Sequence, residues 1–440
     1  MIKGFNASAT LDRLAYWAGR MAAQHHLTAI REGFIFLMPL IIAASFFVLI
    51  NNVVLNEKAG LMGLLGIEAD WLVPAREIGI RIYNGTLNIL TLLATAMIAW
   101  RMALAREQAG AIHAVFAVAC LVIFFPLEQR LQLADQIVQV PGLIAASETA
   151  ASGLFVGIII ALLSSELLTL AQRSPCLAIR MPDSVPPAVA SSFNVILPML
   201  LLLTLFGLLA VLIEVCFGTS LHHLVNEVVQ APLQHAIQSL QGVLGLLFSM
   251  NILWFFGIHG VSIMMPITEP TLLVAIQENA AALQQGTVPP HIVTKAFIDA
   301  FGYMGGGGQT IGLVIAMLIA SRREDHRAIT RLSGVPSLFN INEPMIFGIP
   351  IIFNPLLLVP FILTPLISIG IAWFATALEL IDKTTVLIPW TTPPVLSAFL
   401  ATGGDWRAAL LALLLLILSV LIYLPFVLAL NRQKQAVQGA

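Results

Sequence analysis

Eight stretches of this chain are apolar over about the length that crosses a lipid bilayer, whose hydrocarbon core of ~30 Å takes about 20 helical residues. They cover residues 33–52, 87–104, 110–127, 152–171, 193–217, 243–258, 355–377 and 408–430. A ninth run, 310–321, is shorter and is expected to begin within the glycines before it. Only 10% of the 440 residues are charged, against about 25% in a soluble domain. No stretch is polar enough to cover a water-facing domain, and lipid is the expected solvent. A backbone in hydrocarbon must satisfy its own hydrogen bonds, so the expected fold is an all-α polytopic membrane protein. The net charge of -2 gives no reason to expect nucleic acid as a partner.

Lysine and arginine set the orientation, because they stay on the cytoplasmic side of short loops. Lys3, Arg13, Arg20 and Arg31 precede the first run, and Arg101 and Arg106 follow the second. Arg173 and Arg180 follow the fourth, Arg322, Arg323, Arg327 and Arg331 follow the ninth, and Arg432 and Lys434 close the chain. All fall on one side if both termini are cytoplasmic; Lys58, Arg76 and Arg81 are the exceptions. Parity then requires one more crossing between Gly260 and Gly308, giving ten spans. About thirty mixed residues precede the first run, so no cleavable signal peptide is expected.

Residues 33–217 read as regular spans, whereas glycine, proline and polar residues interrupt every apolar stretch from Trp254 onward. Residues 221–241 have apolar positions at helical spacing without lysine or arginine, which predicts an interfacial amphipathic helix; the alternative is that His222 and His223 bind a ligand. Residues 181–193, with three prolines, form a cytoplasmic connector that re-enters the membrane at Phe193. Cys120, Cys176 and Cys216 stand singly, and neither a metal motif nor a cofactor motif is present.

Three interruptions carry the chemistry. In WFFGIHG, residues 254–260, His259 follows Trp254 and two phenylalanines. Sugars present C–H faces to aromatic rings and hydroxyls to imidazole. In YMGGGGQTIG, residues 303–312, four glycines mark either a close backbone approach or a hinge. In LFNINEPMIFGIPIIFNP, residues 338–355, the carboxylate of Glu343 and the amides of Asn340 and Asn342 sit among apolar residues. Pro344 disfavours helix at Glu343, so a re-entrant hairpin with Asn340, Asn342 and Glu343 at its tip is expected. A carboxylate at membrane depth costs at least ~2.5 kcal/mol and marks a functional site by default. A companion hairpin follows at residues 386–406, where Trp390 and Thr391 sit among prolines; Trp390 reads equally as a sugar platform and as an interfacial anchor.

These segments, with YNGTLNI, MPDSVPPAVASSF and FLATGGDW, together resemble the membrane subunit, EIIC, of bacterial sugar phosphotransferase systems of the lactose/cellobiose (diacetylchitobiose) type. The resemblance runs from about residue 29 to 430. It implies ten transmembrane helices, two re-entrant hairpins and a homodimer built on the N-terminal half, in the bacterial plasma (inner) membrane. It further implies that a β-linked disaccharide is carried inward and phosphorylated on its 6-hydroxyl by a phosphocysteine of a separate EIIB, itself served by EIIA. Glu343 and His259 match the family's catalytic pair, with the choice of base left open. Asn342 and Trp390 match sugar contacts, and Asn340, Trp254, Gly260 and Thr391 complete the expected binding set. The resulting plan is a cytoplasmic segment 1–32, an N-terminal bundle 33–217, an amphipathic linker 218–242, a substrate-binding transport domain 243–431 and a cytoplasmic tail 432–440. None of the three cysteines sits in a phosphate-cradling loop, so phosphorylation is expected to depend on the partner. An ion-coupled transporter without phosphorylation is the alternative; an intramembrane enzyme lacks its motif.

Overall fold

The computed structural model describes residue 20 and residues 24–57, 61–67, 69–133, 136–179, 193–349, 351 and 354–438. Lys3, Arg13, Lys58 and nearly all of the expected connector 181–193 lie outside the described residues.

The first half follows the apolar runs. Helix α1 (His25–Leu49) is extended by a π turn, Ile50–Val54. Then come α2 (Leu72–Asn84), α3 (Leu90–Leu104), α4 (Gly110–Ile123), α5 (Leu154–Gln172) and α6 (Ile196–Phe217). Helix α4 stops short of the expected boundary at 127 because Pro126 disfavours helix in the residue before it, and Phe124 already leaves helical geometry. Residues 128–141 depart from the all-helical expectation. Glu128–Leu133 and Gln136–Pro141 pair antiparallel, with Gln129 opposite Val140 and Leu131 opposite Val138.

The second half is more broken. Leu221–Gln238, here α7, contains a five-residue π segment and turns through 90° into the next helix, α8 (Leu240–Phe255). The Ser239 hydroxyl caps the start of α8 by accepting from Gly242 N–H at 3.0 Å, a standard N-cap. Helix α9 (Gly260–Gln284), long and apolar enough to span a membrane, lies in the region where parity called for one more crossing, and it passes through Pro266 and Pro270. The short α10 (Lys295–Phe301) was not expected. It leads to α11 (Thr310–Ala320), entered by a 3-10 turn over Gly307–Gln309, so the helical stretch begins within the glycines as expected. Next are α12 (Glu324–Leu338), α13 (Glu343–Gly348), α14 (Pro355–Ala377), the short α15 (Leu396–Ala401) and α16 (Trp406–Gln438).

Among the described residues seven helical stretches are long and apolar enough to span a membrane, and the bent pair α7–α8 makes an eighth if it counts as one. Helix α4 and residues 307–320 are apolar but shorter. The chain divides into two compact units. One comprises Ala22–Leu40 and Asn84–Leu233. Its α3, α4 and α5 pack together around Phe116, Cys120, Leu121 and Phe155. Within it Arg106 grips Glu166, which also takes a 2.9 Å contact from His26, and Arg101 pairs with Glu32. His222 lies 3.0 Å from Glu148, both nearly buried, so the expected alternative of a ligand-binding histidine meets a carboxylate of the chain itself. The other unit comprises Ile41–Tyr83 and Gln234–Ala440. There α11 packs on α16, α8 on α14 and α10 on α15.

Candidate functional site

Four breaks in the second unit hold the residues singled out from sequence. The first separates α8 from α9, where Gly257 takes a left-handed turn (φ 73°). His259 caps α9: its Nδ1 accepts from the Ser262 N–H at 3.2 Å and lies 3.0 Å from the Ser262 hydroxyl. A backbone N–H can only donate, so Nδ1 carries the lone pair and the ring proton resides on Nε2. That Nε2 stands 4.0 Å from Glu343 Oε1, and both side chains are nearly half exposed. Trp254 packs against the imidazole, ring centroids 4.5 Å apart and planes tilted by 49°. It is 3% exposed, so it supports His259 rather than presenting an open face.

The second break is the glycine loop. Gly305, Gly306 and Gly308 have positive φ, and Gln309 is left-handed at φ 53°. At Gly306 a β-carbon would meet the Asn342 side chain at 2.5 Å. The loop is a close approach, not a free hinge. Gly308 N–H donates to Asn251 Oδ1 at 2.9 Å, and its carbonyl accepts from Tyr423 at 2.6 Å. The Gln309 amide donates to Phe301 O at 2.6 Å and accepts from Ser368 at 2.9 Å.

The third break joins α12 to α13. Asn340 has φ 64°, a conformation that asparagine tolerates better than most residues. Glu343 is the first residue of α13 with Pro344 beside it. As expected, no continuous helix runs through residues 340–350: α12 stops at Leu338 and α13 opens only at Glu343, where the N–H that Pro344 lacks is one that needs no partner. Asn342 donates to Gly307 O at 2.8 Å. Asn340 accepts from Gly305 N–H at 2.8 Å and donates to Trp390 O at 2.5 Å and Thr392 O at 3.1 Å.

The fourth break, residues 384–395, carries Trp390 and Thr391, both half-buried. Hydrogen bonds thus link the glycine loop, the Asn340 turn and the Trp390 segment, while His259 and Glu343 face each other. Gly260 has a packing role. It is buried, and a β-carbon there would lie 1.9 Å from Met250 O, so it allows the closely packed corner between α8 and α9.

Sequence reasoning missed Asn251, Gln309, Ser368 and Tyr423, although a polar group inside an apolar run is a readable signal in each case. It also missed a buried charge cluster. Lys295 Nζ contacts both Asp299 oxygens at 2.7 Å, with Glu269 buried within electrostatic reach. No set of three or more histidine, cysteine or acidic side chains is arranged to hold a metal ion among the described residues.

Helices long and apolar enough to span a membrane, with breaks whose backbone groups are taken up largely by amide side chains, around an accessible acid–imidazole pair fit a polytopic membrane permease. The chain belongs to the phosphotransferase system EIIC family, whose model matches residues 31–365. It is 35% identical to the "Putative permease IIC component YwbA" of Bacillus subtilis (strain 168), over 96% of this chain and 95% of the relative. It is also 35% identical to the "Lichenan permease IIC component" of the same organism, over 95% and 92% of the two chains. Its fold matches the crystal structure of the transporter ChbC, the IIC component from the N,N'-diacetylchitobiose-specific phosphotransferase system. That match has a TM-score of 0.89 and 32% identity, and covers 96% of this chain and 97% of the other. These relatives do not favour the ion-coupled alternative.

Proposed function

We propose that this permease carries a β-linked disaccharide of the cellobiose or diacetylchitobiose type and presents its 6-hydroxyl to a phosphocysteine on a separate EIIB, which EIIA recharges. The observation that supports this is the 4.0 Å gap between His259 Nε2 and Glu343 Oε1. One hydroxyl oxygen at ~2.8 Å from both atoms closes that triangle with an angle near 90°. It would accept from Nε2–H and donate to the carboxylate. As the oxygen attacks phosphorus, the O–P bond forms, the S–P bond breaks, the proton passes to Glu343 and the EIIB thiolate leaves. His259, already protonated at Nε2 and hydrogen-bonded at Nδ1, serves as donor to the developing charge rather than as base.

The names of the relatives support the sugar class. One is the lichenan permease, and another, 30% identical, is the "PTS system cellobiose-specific EIIC component" of Lactococcus lactis subsp. lactis (strain IL1403). Trp390 and Thr391 are assigned to the sugar face. The same reading places both termini and Arg322–Arg331 in the cytoplasm, where EIIB docks, and the first unit in a homodimer. Leu200, Leu208, Val211 and Val215 of α6 are exposed in the single chain, an apolar surface suited to lipid or to a second copy.

The test is direct. Purified permease given cellobiose or diacetylchitobiose is expected to yield sugar phosphate only when phosphorylated EIIB is added. Ion-driven uptake of unmodified sugar would overturn the proposal.

A further inference from the structure

Asn340 was expected to touch the sugar, yet both of its donors are already engaged. An asparagine amide offers two N–H donors and one carbonyl oxygen. Here both hydrogens go to main-chain carbonyls, of Trp390 at 2.5 Å and of Thr392 at 3.1 Å, and the oxygen accepts from Gly305 N–H at 2.8 Å. The residue is 8% exposed. A donor to a sugar hydroxyl is not left.

We propose that Asn340 is a positioning residue: it locks the Trp390 segment to the glycine loop, and so fixes the stacking platform relative to Glu343 three residues away. This rests on the proposed function, because it takes Trp390 as sugar-facing. Asn342 is attached differently, by a 2.8 Å bond from its amide to Gly307 O. The glycine loop is therefore held by both asparagines, whereas the carbonyls of Trp390 and Thr392 are held by Asn340. Loss of Asn340 displaces the sugar platform, and loss of Asn342 displaces the carboxylate next to it in sequence.

Alanine is a poor probe, since the backbone at Asn340 is left-handed (φ 64°) and alanine adds strain there. Two other variants separate the roles. Asn340→Asp keeps an oxygen for Gly305 N–H and loses both donors. Asn340→Gly keeps the backbone comfortable and loses all three bonds.

Hydrogen exchange on the purified full-length variants without sugar provides the first readout. Asn340→Asp is expected to lose protection over residues 386–395 while keeping it over 303–309, and Asn340→Gly to lose both. The second readout is phosphorylation from phosphorylated EIIB. Asn340→Asp is expected to raise KM about tenfold, the size of two neutral hydrogen bonds, with most of the loss in KM rather than kcat. Asn342→Asp is expected to lower kcat instead. Unchanged protection over 386–395, uniform loss across the whole unit, or an unaltered KM in Asn340→Asp would overturn the proposal. If the unsubstituted protein forms no sugar phosphate, the proposed function fails, and the exchange pattern still decides whether Asn340 couples the two segments.

Discussion

The phenol of Tyr423 donates a 2.6 Å hydrogen bond to the carbonyl of Gly308, so a residue far along α16 fixes the loop beneath the candidate site. Tyr423 is fully buried, as is Gly308. Replacing Tyr423 by phenylalanine keeps the ring and removes the donor, which leaves a buried carbonyl short of a partner. The expected loss is ~1–3 kcal/mol, measured as a lower unfolding temperature of the detergent-purified protein. An unchanged temperature would mean that the bond contributes nothing net.

A larger effect is expected at Lys295. Its ammonium contacts both oxygens of Asp299 at 2.7 Å, one turn along α10. Lys295→Met leaves the Asp299 and Glu269 carboxylates buried without their cation. Breaking one side of such a pair costs ~3–5 kcal/mol, whereas replacing both sides by apolar groups can be neutral. The triple variant Lys295→Met, Asp299→Leu, Glu269→Gln, which removes both carboxylates with the cation, is accordingly expected to recover most of the stability lost in the single one. If it does not, the pair is not what the cluster depends on.

How much of this was legible beforehand depended on the range of the interactions. The run at residues 355–377 coincides with α14, because lipid solvation acts on each residue separately and leaves a contiguous mark in sequence. Prolines and glycines marked the breaks for the same local reason. The bonds of Asn340, Asn342 and Tyr423, and that of Gln309 with Ser368, span tens of residues, and an amide in sequence does not declare whether it faces a ligand or another loop. The alternation at residues 128–141 was readable in principle, but its apolar residues were too few to stand out from the runs around them. His259 and Glu343 were found as polar interruptions; their 4.0 Å separation belongs to the fold alone.

Asp405 gives the acid side of the stability profile. It lies just ahead of the span in α16, and Arg407 N–H, Arg407 Nε and Asp382 N–H all donate to it at 2.9 Å. Burial pushes its carboxyl up, but the Arg407 side chain and the backbone donors from Asp382 and Arg407 outweigh this and hold it below the usual range. A carboxyl depressed by folding stabilises above its unfolded value of about 3.9, and that contribution is lost as pH falls through the folded value. Melting temperature should therefore drop more steeply below about pH 4 in the unsubstituted protein than in Asp405→Asn. Parallel acid limbs would remove Asp405 from the account.

Orientation is open to a labelling test. Ser321, at the edge of the basic cluster, is 1% exposed and would give a false negative, whereas Ala328 on α12 is exposed. A cysteine at Ala328, in a background lacking Cys120, Cys176 and Cys216, is expected to react in intact cells only with membrane-permeant reagents, as basic clusters on the cytoplasmic side require. Labelling by an impermeant reagent would invert the topology.

Glu343→Gln separates binding from chemistry. Glutamine keeps the length of the side chain and still hydrogen-bonds a hydroxyl, but it takes up no proton. General-base assistance of ~10²- to 10⁴-fold should disappear. Sugar binding should persist, because His259 Nε2–H and the Trp390 segment are untouched. Stability should change little: the Glu343 side chain is 48% exposed, and an exposed pair of this kind contributes about 1 kcal/mol at most. The measurements are sugar affinity, melting temperature and the rate of sugar phosphate formation from phosphorylated EIIB, all on the same preparation. Retained affinity with lost phosphorylation assigns the base to Glu343. Normal phosphorylation would return that role to His259, against the tautomer that its contacts with Ser262 impose. A protein that melts many degrees lower would make Glu343 a structural residue and leave the 4.0 Å gap to His259 without a catalytic meaning.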